Sequence, residues 1–225
     1  LSANDVESLL PQALSPRLKY SILRVLEHPT VCAQGPSQVF AGDPALYLWL
    51  LDHPVQAVGM WRRLGAKCLE IKELGKSRFG WSDGEGSELQ WSTVVARAGF
   101  QVWYAEGKIR PAFMLPAVPL RALVVMRHNL DAGDASATVI RQQANLYLQT
   151  DSKTAAVIAR LLGTSAPRIA EQCLYQLETF FSGLVWYLNC HPGQLAILMP
   201  NFTGSTPQTP FVDDRNFLLP QAPAK

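Results

Sequence analysis

The sequence predicts an α+β fold: an antiparallel sheet of six or seven strands with a long C-terminal helix packed across it. Two observations predict it. From Lys67 to Thr150 apolar and polar residues alternate with a period of two, in runs separated by short turn sequences. From about Arg168 to Leu188 the period becomes helical, with an apolar face wider than a bundle seam and suited to lying on a sheet. Composition agrees, since 225 residues with 48% hydrophobic and 17% charged side chains can bury a full core and do not match a disordered chain.

Residues 1–30 read as an N-terminal extension with one helix. In RLKYSILRVLE (17–27), Leu18, Ile22, Val25 and Leu26 fall at helical spacing, bracketed by Pro16 and Pro29. Val31 to Ala41 is extended, with an interruption at Gly35-Pro36. Asp43-Pro44 is a helix entrance, an acceptor side chain followed by proline at the first helical position. Two short helices are expected, Ala45–Leu51 and Val55–Leu64, parted at Asp52-His53-Pro54 and closed by Gly65.

The alternating runs follow. They comprise Leu69–Ile71, Leu89–Val95, Phe100–Tyr104, Ile109–Phe113, Ala122–Met126 and Thr138–Leu148. Turns are expected at 83–86, Ala98-Gly99, Glu106-Gly107 and 131–134, where glycine supplies the backbone dihedrals that tight hairpins need. Short turns between neighbours imply an antiparallel meander, because parallel neighbours need long crossovers. The stretch Phe113–Leu120 is apolar yet holds two prolines, which argues against a central strand and for a loop packed on the core, on a partner, or at a cavity mouth.

A short helix is expected at Thr154–Leu162, stopped by Gly163. The long helix after Pro167 then sets Leu174, Leu177, Phe181, Leu184 and Leu188 on its apolar face. Residues 191–225 hold six of the sixteen prolines and read as an irregular tail.

Several function classes lose support. Twenty Lys+Arg against eighteen Asp+Glu, a formal charge of +2, gives no concentrated basic character for general nucleic-acid binding. No run approaches the roughly 18 apolar residues of a membrane span, so the chain is expected to be soluble. It starts at Leu1 rather than Met, which suggests a processed or trimmed start and leaves cytoplasmic and exported compartments both open. Cys32, Cys68, Cys173 and Cys190 form no C-x-x-C pair and no zinc-ligand spacing with His; they read as buried thiols, with a disulfide left open. No metal or cofactor is implied. Asp52-His53 and Cys190-His191 are sequence neighbours, which seldom present both side chains to one reacting atom. No G-x-S-x-G elbow or phosphate loop is present, and no catalytic residue is assigned.

The element order, together with the strand end YLQTDSKT leading into AAVIARLLGTSAPRIAEQCLYQLETFF, resembles the START-like or Bet v 1-like (SRPBCC, polyketide cyclase/dehydrase-type) helix-grip superfamily over about Val31 to Leu188. The resemblance implies a domain at 31–190 in which a curved sheet grips the long helix and leaves a cavity. It also implies a hydrophobic small molecule or lipid as guest, bound or carried without catalysis. The alternatives are a cyclase/aromatase-type enzyme using the same cavity, or an interaction protein with a filled interior that meets a protein partner through the 113–120 loop or the tail. Trp91 and Trp103 from the sheet, Phe113 and Leu115 from the proline loop, and Leu177 and Phe181 from the helix are the candidate ligand-binding residues. Arg121, with Arg110, flanks that loop and is the candidate for an anionic headgroup. Core packing is the competing role for the aromatics. The polar row Arg141, Gln143, Asn145, Tyr147 and Gln149 either faces a guest or is a solvated face.

Overall fold

The computed structural model describes residues 3–75, 77–110, 117–132, 138–150 and 165–199. The expected helix at Thr154–Leu162, Phe113 and Leu115 of the proline loop, and the tail beyond Met199 lie outside the described residues.

Two helices open the chain, α1 (Ala3–Leu9) and α2 (Pro16–Glu27). Ser15 caps α2 by accepting from the Leu18 amide, and Ile22, Val25 and Leu26 form its buried face, as their spacing predicts. The extended run breaks at Gly35-Pro36 into β1 (Val31–Gln34) and β2 (Gln38–Ala41). Asp43 caps α3 (Pro44–Asp52), its Oδ1 accepting from the Ala45 amide at 2.7 Å and from Leu46 at 3.4 Å. Helix α4 (Pro54–Arg63) follows, and the chain leaves it through Gly65 at φ +90°. The junctions before α4 and after the long helix share one device. His53 stacks on Trp49 at 4.2 Å and His191 on Tyr187 at 4.4 Å, each with Nδ1 at the carbonyl of that aromatic, and each precedes a proline that starts the next helix.

Strands β3 (Ile71–Gly75), β4 (Arg78–Ser82), β5 (Glu88–Arg97), β6 (Phe100–Ile109), β7 (Val118–Ala132) and β8 (Thr138–Thr150) are paired antiparallel throughout. The sheet order is β1-β8-β7-β6-β5-β4-β3, with β2 also on β8. The long helix α5 (Ala166–Cys190) lies against β1, β8 and β2, and α6 (Pro192–Leu198) follows it. The architecture is α+β: a curved antiparallel sheet with a long C-terminal helix and an N-terminal helical extension.

Several details differ from the expectation. The sheet has eight strands rather than six or seven, because Val31–Ala41 contributes two strands that share β8 and because Arg78–Ser82 is a strand. Glu106-Gly107 is no turn but lies inside β6; Gly107 is needed because a side chain there would collide with the Glu88 carbonyl of β5. Residues 118–120, expected in the proline loop, open β7. Pro119 is tolerated as the second residue of that strand, opposite Lys108 of β6. Residues 192–198, read as tail, are helical. None of the four cysteines is buried: Cys32 and Cys173 are exposed, Cys68 and Cys190 half-buried. The expected turns at Gly84, Gly86 and Gly99 are confirmed by their φ of +75°, +113° and +83°.

Two apolar clusters lie on opposite faces of the sheet. On the concave face, Leu46, Tyr47 and Leu50 of α3, Met60 of α4 and Leu184, Val185 and Leu188 of α5 meet Trp103, Met126, Ile140 and Ala144. On the convex face, Ile22, Val25 and Leu26 of α2 meet Val95, Val102, Tyr104, Leu123, Val125 and Tyr147. The polar row of β8 is therefore solvated only at one end: Arg141 is exposed and Gln143 half-buried, while Asn145, Tyr147 and Gln149 are buried, Gln149 donating to the carbonyls of Arg24 at 2.9 Å and His28 at 3.2 Å. Among the described residues no helix is long and apolar enough to cross a membrane.

Candidate functional site

Strand alternation decides which side chains can meet. In register across the concave face stand Phe79, Trp91, Ala105, Ala122 and Leu148, and beside them Trp103, Val124 and Leu146. Trp103 stacks on Phe181 of α5, with ring centres 6.2 Å apart and planes 8° from parallel. Phe181 meets Phe180 edge-on at 5.2 Å, and Phe180 accepts at its carbonyl from the Trp61 indole of α4 at 3.0 Å. Here the helix closes on the sheet. Away from this contact, toward β4 and β5, Trp81, Leu89, Trp91, Val124, Leu146 and Leu148 are only half-buried, as is Leu177 on the helix. Four expected ligand-binding residues, Trp91, Trp103, Leu177 and Phe181, thus belong to one apolar cluster.

Behind the Trp103–Phe181 contact lies a polar network that the sequence reading missed. Glu178 points from α5 into the sheet with no exposure, and its Oε1 accepts from the Ala144 amide of β8 at 2.5 Å. Gly35 still donates its amide to the Ala144 carbonyl at 2.8 Å, but its own carbonyl accepts from the Gln143 side chain at 3.1 Å, so the Glu178 carboxyl takes the place of that strand carbonyl. Gly35 leaves it room, since a Cβ there would strike the carboxyl. Gln142 donates to the Glu178 carbonyl at 2.8 Å and to Gln38 at 3.1 Å, and accepts from the Tyr47 hydroxyl at 2.8 Å. Ser182 donates to Gln38 at 3.0 Å, and Gln38 donates to Thr179 at 3.1 Å.

Burial sets the ionisation here. It pushes Glu178 up to about 7, only partly offset by the Ala144 amide, and its Oε2 has no hydrogen-bond partner among the described residues. Tyr47 is pushed far up by its own burial, with the Glu178 charge adding to it. His128, edge-on to Tyr47 at 5.6 Å, is pushed down by burial and has neither ring nitrogen paired among the described residues. Glu178 was findable: it falls on the apolar stripe, four residues after Leu174 and three before Phe181, where a charge has no solvent. The Gln142–Tyr47 pairing depends on strand register and was not.

Arg121 lies on the other face. Directly opposite one another in register, Gln90, Glu106, Arg121 and Gln149 form a polar row across β5 to β8 on the convex side. The row floors an open cleft of about 710 Å³, with Arg24 of α2 in its wall and Glu88, Pro119 and Thr150 at its end. Arg110 is elsewhere again, its guanidinium against Gly86. Asp52 and His53 are engaged separately: Asp52 accepts from Gln101 at 2.9 Å while His53 stacks on Trp49. No group of three or more His, Cys, Asp or Glu among the described residues could hold a metal ion.

No family model matches the chain, and no curated protein matches it in sequence. Among solved structures it is similar to a conserved protein from Geobacillus kaustophilus, with 12% identity over 70% of this chain and 96% of that one, TM-score 0.45. Ara h 8.0201 shares 12% identity over 69% of this chain and 99% of its own, TM-score 0.38. Norcoclaurine synthase from Thalictrum flavum shares 13% over 68% and 85%, TM-score 0.36. The helix-grip arrangement is established by this chain's own strand order and by α5 seated on β1, β2 and β8.

Proposed function

We propose that the protein binds or carries a hydrophobic small molecule or lipid between the concave sheet face and α5, without altering it. The observation that carries this reading is the uneven cover of the concave face: Trp103 and Phe181 close one part, while Trp91, Val124, Leu146 and Leu177 beside them keep apolar surface open. Apolar surface in a concave site is the usual ground for such binding, at about 25 cal/mol per Å² removed from water. A catalytic use would need an acid and a base that a guest can reach. Tyr47 and Glu178 do converge, but neither has any exposure, and the Tyr47 hydroxyl and the Glu178 carboxyl already bond Gln142 and Ala144.

The test is extraction of freshly purified protein followed by mass spectrometry for an apolar compound, together with titration by the uncharged dye Nile red. Leu177→Trp should fill the open part and weaken dye binding by about tenfold, the equivalent of roughly 60 Å² of lost apolar contact. A chain that yields no extract and takes up no dye would overturn the reading.

A further inference from the structure

We propose that the convex-face cleft is a second binding site, for a small polar molecule bearing a carboxylate or phosphate group. Arg24 and Arg121 reach it from different layers, one from α2 and one from β7. Neither has an ion-pair partner among the described residues, where the pairs are Lys108 with Glu88 at 3.1 Å and Arg62 with Glu70. Of the acidic members of the cleft, Glu88 is paired with Lys108, while Glu106 accepts from the neutral Tyr104 hydroxyl at 3.3 Å and keeps its charge. Two arginines open to one concave space are suited to a planar or tetrahedral anion, which they can grip with paired donors.

Gln149 ties the floor of the cleft to the helix that walls it. It lines the cleft at 9% exposure, and its amide nitrogen is held by the carbonyls of Arg24 and His28. That leaves Oε1 buried without a donor. None of the residues lining this cleft belongs to the concave apolar cluster, so the inference does not depend on the apolar guest.

Isothermal titration of the full chain with citrate and with inorganic phosphate tests it, with phosphatidylcholine vesicles containing or lacking phosphatidic acid as a further arm. Saturable binding of either soluble anion is expected, weakened about tenfold by Arg24→Gln or Arg121→Gln, the loss of one charged hydrogen bond. Glu106→Gln should strengthen binding by removing a like charge, and Arg63→Gln, on the far face, should change nothing. Binding confined to the phosphatidic acid vesicles, with the same dependence on the two arginines, would support the site and name a lipid headgroup as the source of the anion. Absence of binding in every arm, or an equal loss in Arg63→Gln, would overturn it. Nile red uptake by the arginine variants should match the parent chain, which separates failure here from failure of the concave site.

Discussion

At Glu178 a carboxyl sits in the sheet–helix interior with the Ala144 amide as its donor, and the pH dependence of stability follows from that. Unfolded, the group titrates near 4.5; folded, near 7. The native state thus keeps a proton that the unfolded chain releases in this interval, and stability falls as pH rises through it. Below about 4.5 there is no penalty; above about 7 it is complete, on the order of 3 kcal/mol. His128 acts in the opposite sense, since burial lowers its pKa from 6.5 and stability is lost as pH falls below that value. Urea unfolding from pH 5 to 8 should therefore show Glu178→Gln losing the decline that the parent chain displays, while the His128 contribution stays common to both. Equal slopes would mean that the carboxyl is not the source. The same residue marks the limit of sequence reading at this scale: a stripe can reveal that a charge is buried, but not that it replaces a strand carbonyl at the Gly35-Pro36 gap.

Local chemistry set the elements most clearly at their ends. Asp43-Pro44 announces α3, and the observed bonds from Ala45 and Leu46 to the Asp43 carboxylate show why. Asp43→Ala should lower stability by about 1 kcal/mol, read as a shifted denaturation midpoint with unchanged slope. Glycine and proline were ambiguous because each answers two different demands. Gly99 turns the chain with positive φ, whereas Gly107 clears space for a neighbouring strand, and only the register of β5 on β6 separates the cases. Register is likewise what assembles Gln90, Glu106, Arg121 and Gln149. Each alone resembles an ordinary solvated strand residue, so the convex cleft was illegible, while Trp91, Trp103, Leu177 and Phe181 could be proposed from periodicity alone.

Taken whole, the molecule has three layers rather than the two that a sheet gripping a helix requires. The extension that begins the chain covers the back of the sheet with α2, so residues outside the resembling segment are part of the fold's core. Ile22→Ala should lower unfolding free energy by about 2–5 kcal/mol, since Ile22 is fully buried against the convex cluster. Nile red uptake should survive in the folded fraction, because the concave face is untouched. The Glu178–Ala144 link has a mechanical consequence for any such uptake. It pins α5 to β8 like a rivet, so swelling to admit a larger molecule has to come from the opposite wall, toward the free rim of the sheet at β3 and β4.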